Sequence, residues 1–305
     1  MSGIDLSVKI GTLELKNPVL LASGTVGYGN EISQFTDLSK IGGIVTKSIS
    51  LKPRKGNQPQ RIVETNGGML NAIGLANVGV DEFIESKIPF LQKVKSTVIC
   101  NIAASSVEEY VECVRLLEGQ DTIKAYEINV SCPNVKEGGL EFGHNPSAVG
   151  TITGKVRGAT NKPVIIKLSP NVSRISDFAK IVKSEGGDAV SAINTLVGTA
   201  FDIWTKKPKI KNITGGLSGP AIKPVALAKV LEISRNVDIP IIGIGGIMNW
   251  QDAIEFMIAG ATAIEIGTVN FINPNAGIEI IKGIFEYAVK TSVKDIKKII
   301  ASYQI

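Results

Sequence analysis

Histidine occurs once, at His144, and cysteine three times, at Cys100, Cys113 and Cys132, in a chain of 305 residues. The single histidine excludes a histidine metal centre, and the cysteines show neither metal-ligand pairing nor the even count of a disulfide framework. An iron–sulfur cluster needs about four thiolates, so this chain cannot hold one by itself. Nowhere do about 18 apolar residues run together, and the start MSGIDLSVK has an acid and no apolar h-region. The expectation is a soluble, cytoplasmic protein without a membrane segment. Also missing are a Pro/Ser-rich linker, a low-complexity segment and a sequence repeat, so residues 1–305 are expected to form a single domain. The net charge of +5 is spread along the chain, with its densest basic stretches at Lys52–Lys55 and Lys206–Lys211. That distribution leaves no nucleic-acid footprint and suits an anionic small ligand better.

What the sequence has is apolar residues, 44%, against 20% charged, enough to bury a large core. Eight short β-branched runs read as buried strands: Pro18–Ser23, Gly42–Ser50, Thr97–Ala104, Ala125–Cys132, Pro163–Ser169, Ala189–Thr195, Ile239–Gly246 and Ala263–Thr268. Helical patterns lie between them, as in Ser106–Gly119, Ile175–Gly187 and Trp250–Gly260, several entered by Ser, Asp or Asn and left by Gly. Eight alternations of strand and helix predict an α/β fold, a (β/α)8 TIM barrel. Ahead of the first strand, Ser7–Asn17 alternates around a glycine and reads as a β-hairpin able to close the N-terminal mouth of the barrel. Leu51–Val78 and Pro133–Asn145 are longer than ordinary connections, and both follow strand C-termini, the catalytic face of such a barrel.

The strand tips on that face are unusually polar. Lys47 ends the second strand, Asn101 the third, Asn129 and Cys132 the fourth, Lys167 the fifth, and Asn194 and Thr195 the sixth. Gly245 and Gly246 finish the seventh, and Gly267 and Thr268 the eighth, so backbone N–H groups can close on a phosphate there. GIGGI with Glu265 also resembles a dinucleotide fingerprint, but its third glycine is missing and too little chain follows to complete that fold. Lys47 and Lys167 lie in apolar strands, where an ammonium needs an anionic partner, and both are expected to face a ligand; a Schiff-base role is the rival. Cys132 opens a glycine-containing loop at a strand tip and is read as reactive, whereas Cys100 and Cys113 are read as inert buried thiols. Asn71, Asn129 and Asn194 suggest a ligand with amide and carboxylate edges.

The segments TKSIS, NAIGL, EINVSCPN, IIKLSPN, AINT, GGLSGPAIKP, GIGGI and IGT resemble dihydroorotate dehydrogenases along nearly the whole chain. SCPN with its cysteine is similar to the cytosolic class 1, since the membrane-linked class uses serine as base. ASGTVGYGNE and PQRIVETNGGMLNAIGLAN resemble the NAD-linked form, class 1B, with the fumarate-using homodimer as the alternative. A dihydropyrimidine dehydrogenase-like flavin barrel, a lysine aldolase and a catalytically silent barrel are more distant readings. The resemblance implies one FMN-binding domain and one FMN per chain. Its FMN contacts would come from Ser23, Lys47, Ser48, Asn101, Asn129, Lys167, Ile193, Gly219, Gly245, Gly246, Gly267 and Thr268. It implies substrate contacts from Lys47, Asn71, Ala72, Ile73, Gly74, Leu75, Asn129, Asn194 and Thr195. It also implies catalysis by Cys132 as base with Lys47 as its charged neighbour. The expected assembly is a homodimer of barrels, each carrying an electron-transfer subunit with FAD and an iron–sulfur cluster, a heterotetramer.

Overall fold

A computed structural model describes residues 3–131 and 142–304. The chain opens with an antiparallel hairpin, β1 (Val8–Ile10) and β2 (Leu13–Leu15), paired Val8 to Leu15. Eight parallel strands then close into a barrel: β3 (Val19–Leu21), β4 (Gly43–Val45), β7 (Thr97–Ile102), β8 (Ile123–Asn129), β9 (Val164–Lys167), β10 (Ala189–Ala192), β13 (Ile241–Ile244) and β14 (Ala263–Ile266). All eight predicted strands are present. They are apolar and buried on both faces because helices cover the outside while side chains fill the inside.

The outer layer begins with two short 3-10 turns between β3 and β4. A broken helix follows β4, with α1 (Val80–Glu82) passing through a π-turn at Phe83–Lys87 into α2 (Ile88–Leu91). Full helices follow: α3 (Val107–Leu117), α4 (Pro146–Arg157), α5 (Ile175–Ser184), α6 (Lys223–Asn236), α7 (Trp250–Ala259) and α8 (Ala276–Lys290). Their ends follow from local chemistry. The Ser106 hydroxyl accepts the Glu109 N–H ahead of α3, Asn249 and Asp252 form a reciprocal capping box on α7, and Gly260 leaves α7 in the left-handed region at φ 119°.

The hairpin seals the N-terminal mouth, as its alternation predicts. Val8, Ile10, Leu13 and Leu15 enter the core, and Lys16 donates to the carbonyls of Ser39 and Lys95, just ahead of β4 and β7. Among the described residues no helix is long and apolar enough to cross a membrane.

The opposite mouth differs from a plain barrel. The stretch expected to be a long loop, Leu51–Val78, contains a hairpin of β5 (Ile62–Thr65) and β6 (Gly68–Asn71). A second hairpin, β11 (Leu196–Thr199) and β12 (Thr214–Ser218), extends from the tip of β10. β12 pairs with β6, giving a four-stranded antiparallel sheet in the order β11-β12-β6-β5. Glycines at 67, 68, 215, 216 and 219 obscure its period, and each hairpin is too short to stand alone.

Asn77 ties this sheet to the barrel. Its Oδ1 accepts the N–H groups of Ser50 and Gly79 at 3.2 and 2.8 Å, and its Nδ2 donates to Ser50 Oγ and the Leu75 carbonyl at 2.8 and 2.7 Å. Asn77→Ala is expected to cost about 2–3 kcal/mol, since it strands buried backbone groups. Amide exchange should accelerate first at residues 68–79; uniform destabilisation without that local signature would show that Asn77 does not anchor the segment.

Candidate active site

Between the C-terminal tips and the small sheet lies a cavity of about 700 Å³. Its wall contains Ser23, Lys47, Ser48, Asn101, Asn129, Lys167, Ile193, Asn194, Thr195, Gly219, Gly245, Gly246, Gly267 and Thr268, together with the Asn71–Leu75 segment. Every described residue singled out from the sequence is thus brought to one space. Cys132 and the loop residues through 141 lie outside the described residues; the preceding Ser131 lines the cavity and donates from its hydroxyl to the Lys167 carbonyl at 2.9 Å.

The glycine tips lie side by side because β13 pairs with β14. Gly245 and Gly246 have φ of 129° and 75°, and a Cβ on Gly246 would sit 2.8 Å from Lys223 and 2.9 Å from the Gly219 carbonyl oxygen. The backbone here is therefore confined to glycine on both conformational and steric grounds. Gly267 precedes a 3-10 turn at Thr268–Phe271, and the Thr268 hydroxyl donates to Ser218 Oγ at 2.9 Å. Nearby Lys223 is committed to Asp252 at 2.6 Å and Glu255 at 3.0 Å.

The opposite wall is pinned from behind. Within Asn71–Leu75, the carbonyls of Ala72 and Ile73 accept from Asn57, each at 3.0 Å, and the Ala72 N–H donates to the Arg61 carbonyl at 2.7 Å. Gly74 and Leu75 both take positive φ, 72° and 54°. For leucine that conformation costs roughly 1–2 kcal/mol, tolerable because these contacts fix the backbone. Asn194 Nδ2 donates to Asn129 Oδ1 at 3.3 Å, and the same oxygen accepts the Ser131 N–H at 3.2 Å. Asn129 therefore has its amide donors to offer the cavity.

The two lysines differ. Burial lowers the Lys47 ammonium below its ordinary value, with nearby Glu31 opposing and Arg61 assisting. For Lys167, burial pulls the same way, but the adjoining Glu127 and Glu265 side chains outweigh it and raise the value. Lys167 Nζ lies 3.4 Å from Glu127 Oε1 and 3.5 Å from Glu265 Oε2. The expectation that its charge waits for a ligand anion is therefore revised, because the protein supplies the counter-charge. An ammonium held so firmly is also a poor Schiff-base amine.

Glu127 and Glu265 were not among the predicted site residues. The signal was available: each is an acid inside an apolar strand, the pattern that singled out the lysines. Asn171 was missed as well. It bridges the Thr195 carbonyl and the Val197 N–H at 3.1 Å each and anchors the β11 end of the sheet.

Fold and cavity together define a (β/α)8-barrel enzyme working at its C-terminal face. A family model described as dihydroorotate dehydrogenase matches residues 5–287, so the chain belongs to the dihydroorotate dehydrogenase family, oxidoreductases of pyrimidine biosynthesis. It is 52% identical to the dihydroorotate dehydrogenase B (NAD(+)) catalytic subunit of Geotalea daltonii over the full length of both chains. Proteins of the same name from Geobacter metallireducens and Bacteroides thetaiotaomicron are 51% and 47% identical, with 99% of each chain covered.

Cys100 and Cys113 are fully buried, and burial pushes both thiols up, Cys113 to about 12. Little thiolate exists near neutral pH, so neither should be alkylated in the native protein until it unfolds. Mass spectrometry after brief iodoacetamide treatment checks this; native labelling at Cys113 would contradict the burial.

Proposed function

We propose that this chain is the catalytic subunit of an NAD-linked dihydroorotate dehydrogenase, oxidising (S)-dihydroorotate to orotate in the cytoplasm, with residues 1–305 acting as one FMN-binding domain. The observation that carries the reading is the convergence of every described candidate residue on one cavity of about 700 Å³.

The residues present fit FMN. Gly219, Gly245, Gly246 and Gly267 offer a side-chain-free cradle suited to a phosphate, with the Thr268 hydroxyl at its edge, and Cβ atoms at Gly219, Gly245 and Gly246 would meet neighbouring backbone or side chains. Asn101 keeps a buried Oδ1 with no hydrogen-bond partner in the protein, an acceptor open to a ring N–H. Ser23, Lys47, Ser48, Asn129, Lys167 and Ile193 would complete the contact surface. Bound FMN supplies the acceptor for the hydride on substrate carbon 6.

The chain's own residues supply the rest. Cys132 Sγ takes the proton from carbon 5, and the ammonium of Lys47 favours its thiolate. Asn71, Asn129, Asn194 and Thr195, with the backbone of Ala72, Ile73, Gly74 and Leu75, orient the carboxylate and amide edges of the substrate. The positive Lys167 favours electron density arriving on the group above it.

Relatives named as catalytic subunits support a partner. Three cysteines cannot ligate an iron–sulfur cluster, and the GIGGI glycines serve the phosphate cradle, so NAD has no evident place on this chain. FAD and the cluster are assigned to a second subunit docked on a barrel homodimer, a heterotetramer. The connection between β11 and β12 carries Ile203 and Trp204, 75% and 85% exposed, apolar surface suited to a protein contact.

The chain purified alone should contain about one FMN and reduce an artificial dye with dihydroorotate, but not NAD. Efficient NAD reduction by the lone chain would remove the partner, and efficient fumarate reduction would move it to the homodimeric class. Cys132→Ser should keep its FMN while slowing flavin reduction by roughly a hundredfold or more near neutral pH. The residual rate should rise with pH, and wild-type kinetics would dismiss Cys132 as the base.

A further inference from the structure

Beneath the cavity floor lie two acids that the chemistry above does not use. Glu127 on β8, next to the Lys167 strand, and Glu265 on β14, across the barrel interior, are buried, do not line the cavity, and bracket Lys167. Their surroundings are unequal. Glu127 Oε1 accepts from Asn101 Nδ2 at 2.5 Å and Oε2 accepts from Ser191 Oγ at 2.7 Å, donors from β7 and β10. Glu265 has Lys167 on one oxygen, and its Oε1 has no separate donor. The strands flanking β14 set Leu20 and Ile244 in register with it, both apolar. The charged groups bearing on Glu265 are thus Glu127 and Lys167.

Two carboxylates and one ammonium would leave a net negative charge in a dry interior, which is costly. The neutral donors, Asn101 and Ser191, both serve Glu127, and the Oε1 of Glu265 has none. A proton must lie in the pair, and the donors around Glu127 satisfy it as the anion.

We propose that Glu265 is held as a neutral carboxylic acid beside an ionised Glu127, making Glu127, Glu265 and Lys167 a triad of zero net charge and Glu265 a positioning residue for the Lys167 ammonium. Electrostatics point the same way. Burial and the charge of Glu127 push Glu265 well above the ordinary carboxyl range, whereas for Glu127 burial is overridden by Lys167 and the surrounding hydrogen bonds, which hold it below that range. An ionised Glu265 would make the floor net negative and oppose electron gain by the group above. This consequence rests on the flavin reading of the cavity; the protonation state does not.

The first measurement is infrared difference spectroscopy of the flavin-free protein. Wild type should show a carboxylic C=O band that persists at about pH 7, far above the ordinary carboxyl value, and that is absent in Glu265→Gln. Absence of the band in wild type overturns the proposal without any variant, so a Glu265→Gln chain that fails to fold does not remove the test. A band retained in a folded Glu265→Gln also overturns it.

Linkage gives a second readout. The folded state keeps a proton that the unfolded state releases above the ordinary carboxyl value of 4.5, so this contribution to wild-type stability falls as pH rises toward the folded value. Glu265→Gln lacks that loss, and its Tm relative to wild type should climb over the same range; a flat difference counts against the proposal.

In the flavin-loaded protein, Glu265→Gln should shift the oxidised-to-reduced equilibrium by less than tenfold, about 30 mV for two electrons, because one neutral group replaces another. A larger shift toward reduction means that Glu265 was ionised and overturns the triad. If no flavin binds, the assignment of the cavity fails, while the infrared and stability measurements still decide the triad.

Discussion

Closure of the eight-stranded parallel ring is the constraint from which the site follows. Each strand must pair with both neighbours, β10 with β9 and β13, and β14 with β13 and β3, so all eight C-terminal ends emerge around one mouth. Residues as distant in sequence as Ser23, Asn101, Lys167 and Thr268 thereby line one cavity. The ring also has a dry interior, and that interior makes the protonation states of Lys167, Glu127 and Glu265 consequential. At the surface the same three groups would be screened and would contribute little.

The barrel was legible because its signal is redundant. Eight apolar runs, each buried on both faces, are separated by helices whose ends carry their own markers, such as the Asn249 capping box and the left-handed Gly260. An error at one boundary does not change the count. The small sheet over the mouth had no such redundancy. β12 reads TGGLS, with no apolar alternation, and it becomes a strand because β6 and β11 pair on either side of it. Long-range pairing of that kind leaves no local pattern in the sequence.

The site shows the same division. Polar residues at strand tips could be recognised one by one, since a lysine or asparagine ending an apolar strand is conspicuous. Which groups answer one another could not. Lys47 and Lys167 look alike in sequence, yet one is half-buried near Glu31 and Arg61 and the other is fixed between two acids on β8 and β14. The inward direction of Glu127 and Glu265 depends on strand register, because a shift of one residue would turn each toward the helices. Sequence identifies the charged groups here, and register decides their partners.

Function depends on joining these two kinds of structure. The barrel tips alone form a wide, wet mouth, in which a carboxamide or an ammonium does little that water does not. The sheet adds a second wall: Met69, Asn71, Gly216 and Ser218 line the cavity from above, with Asn77 fixing the sheet at one end and Asn171 at the other. Those anchors are short asparagine bridges to backbone groups, which fix position without adding apolar bulk, so the lining remains free for a flat ligand. The rigid floor and the anchored roof therefore have separate duties. The floor sets the electrostatics through the Lys167 network, and the roof sets the shape and excludes water. The Lys167 network takes its partners from the barrel strands alone, so a change in ligand preference can arise in the roof while the charge balance beneath it stays intact.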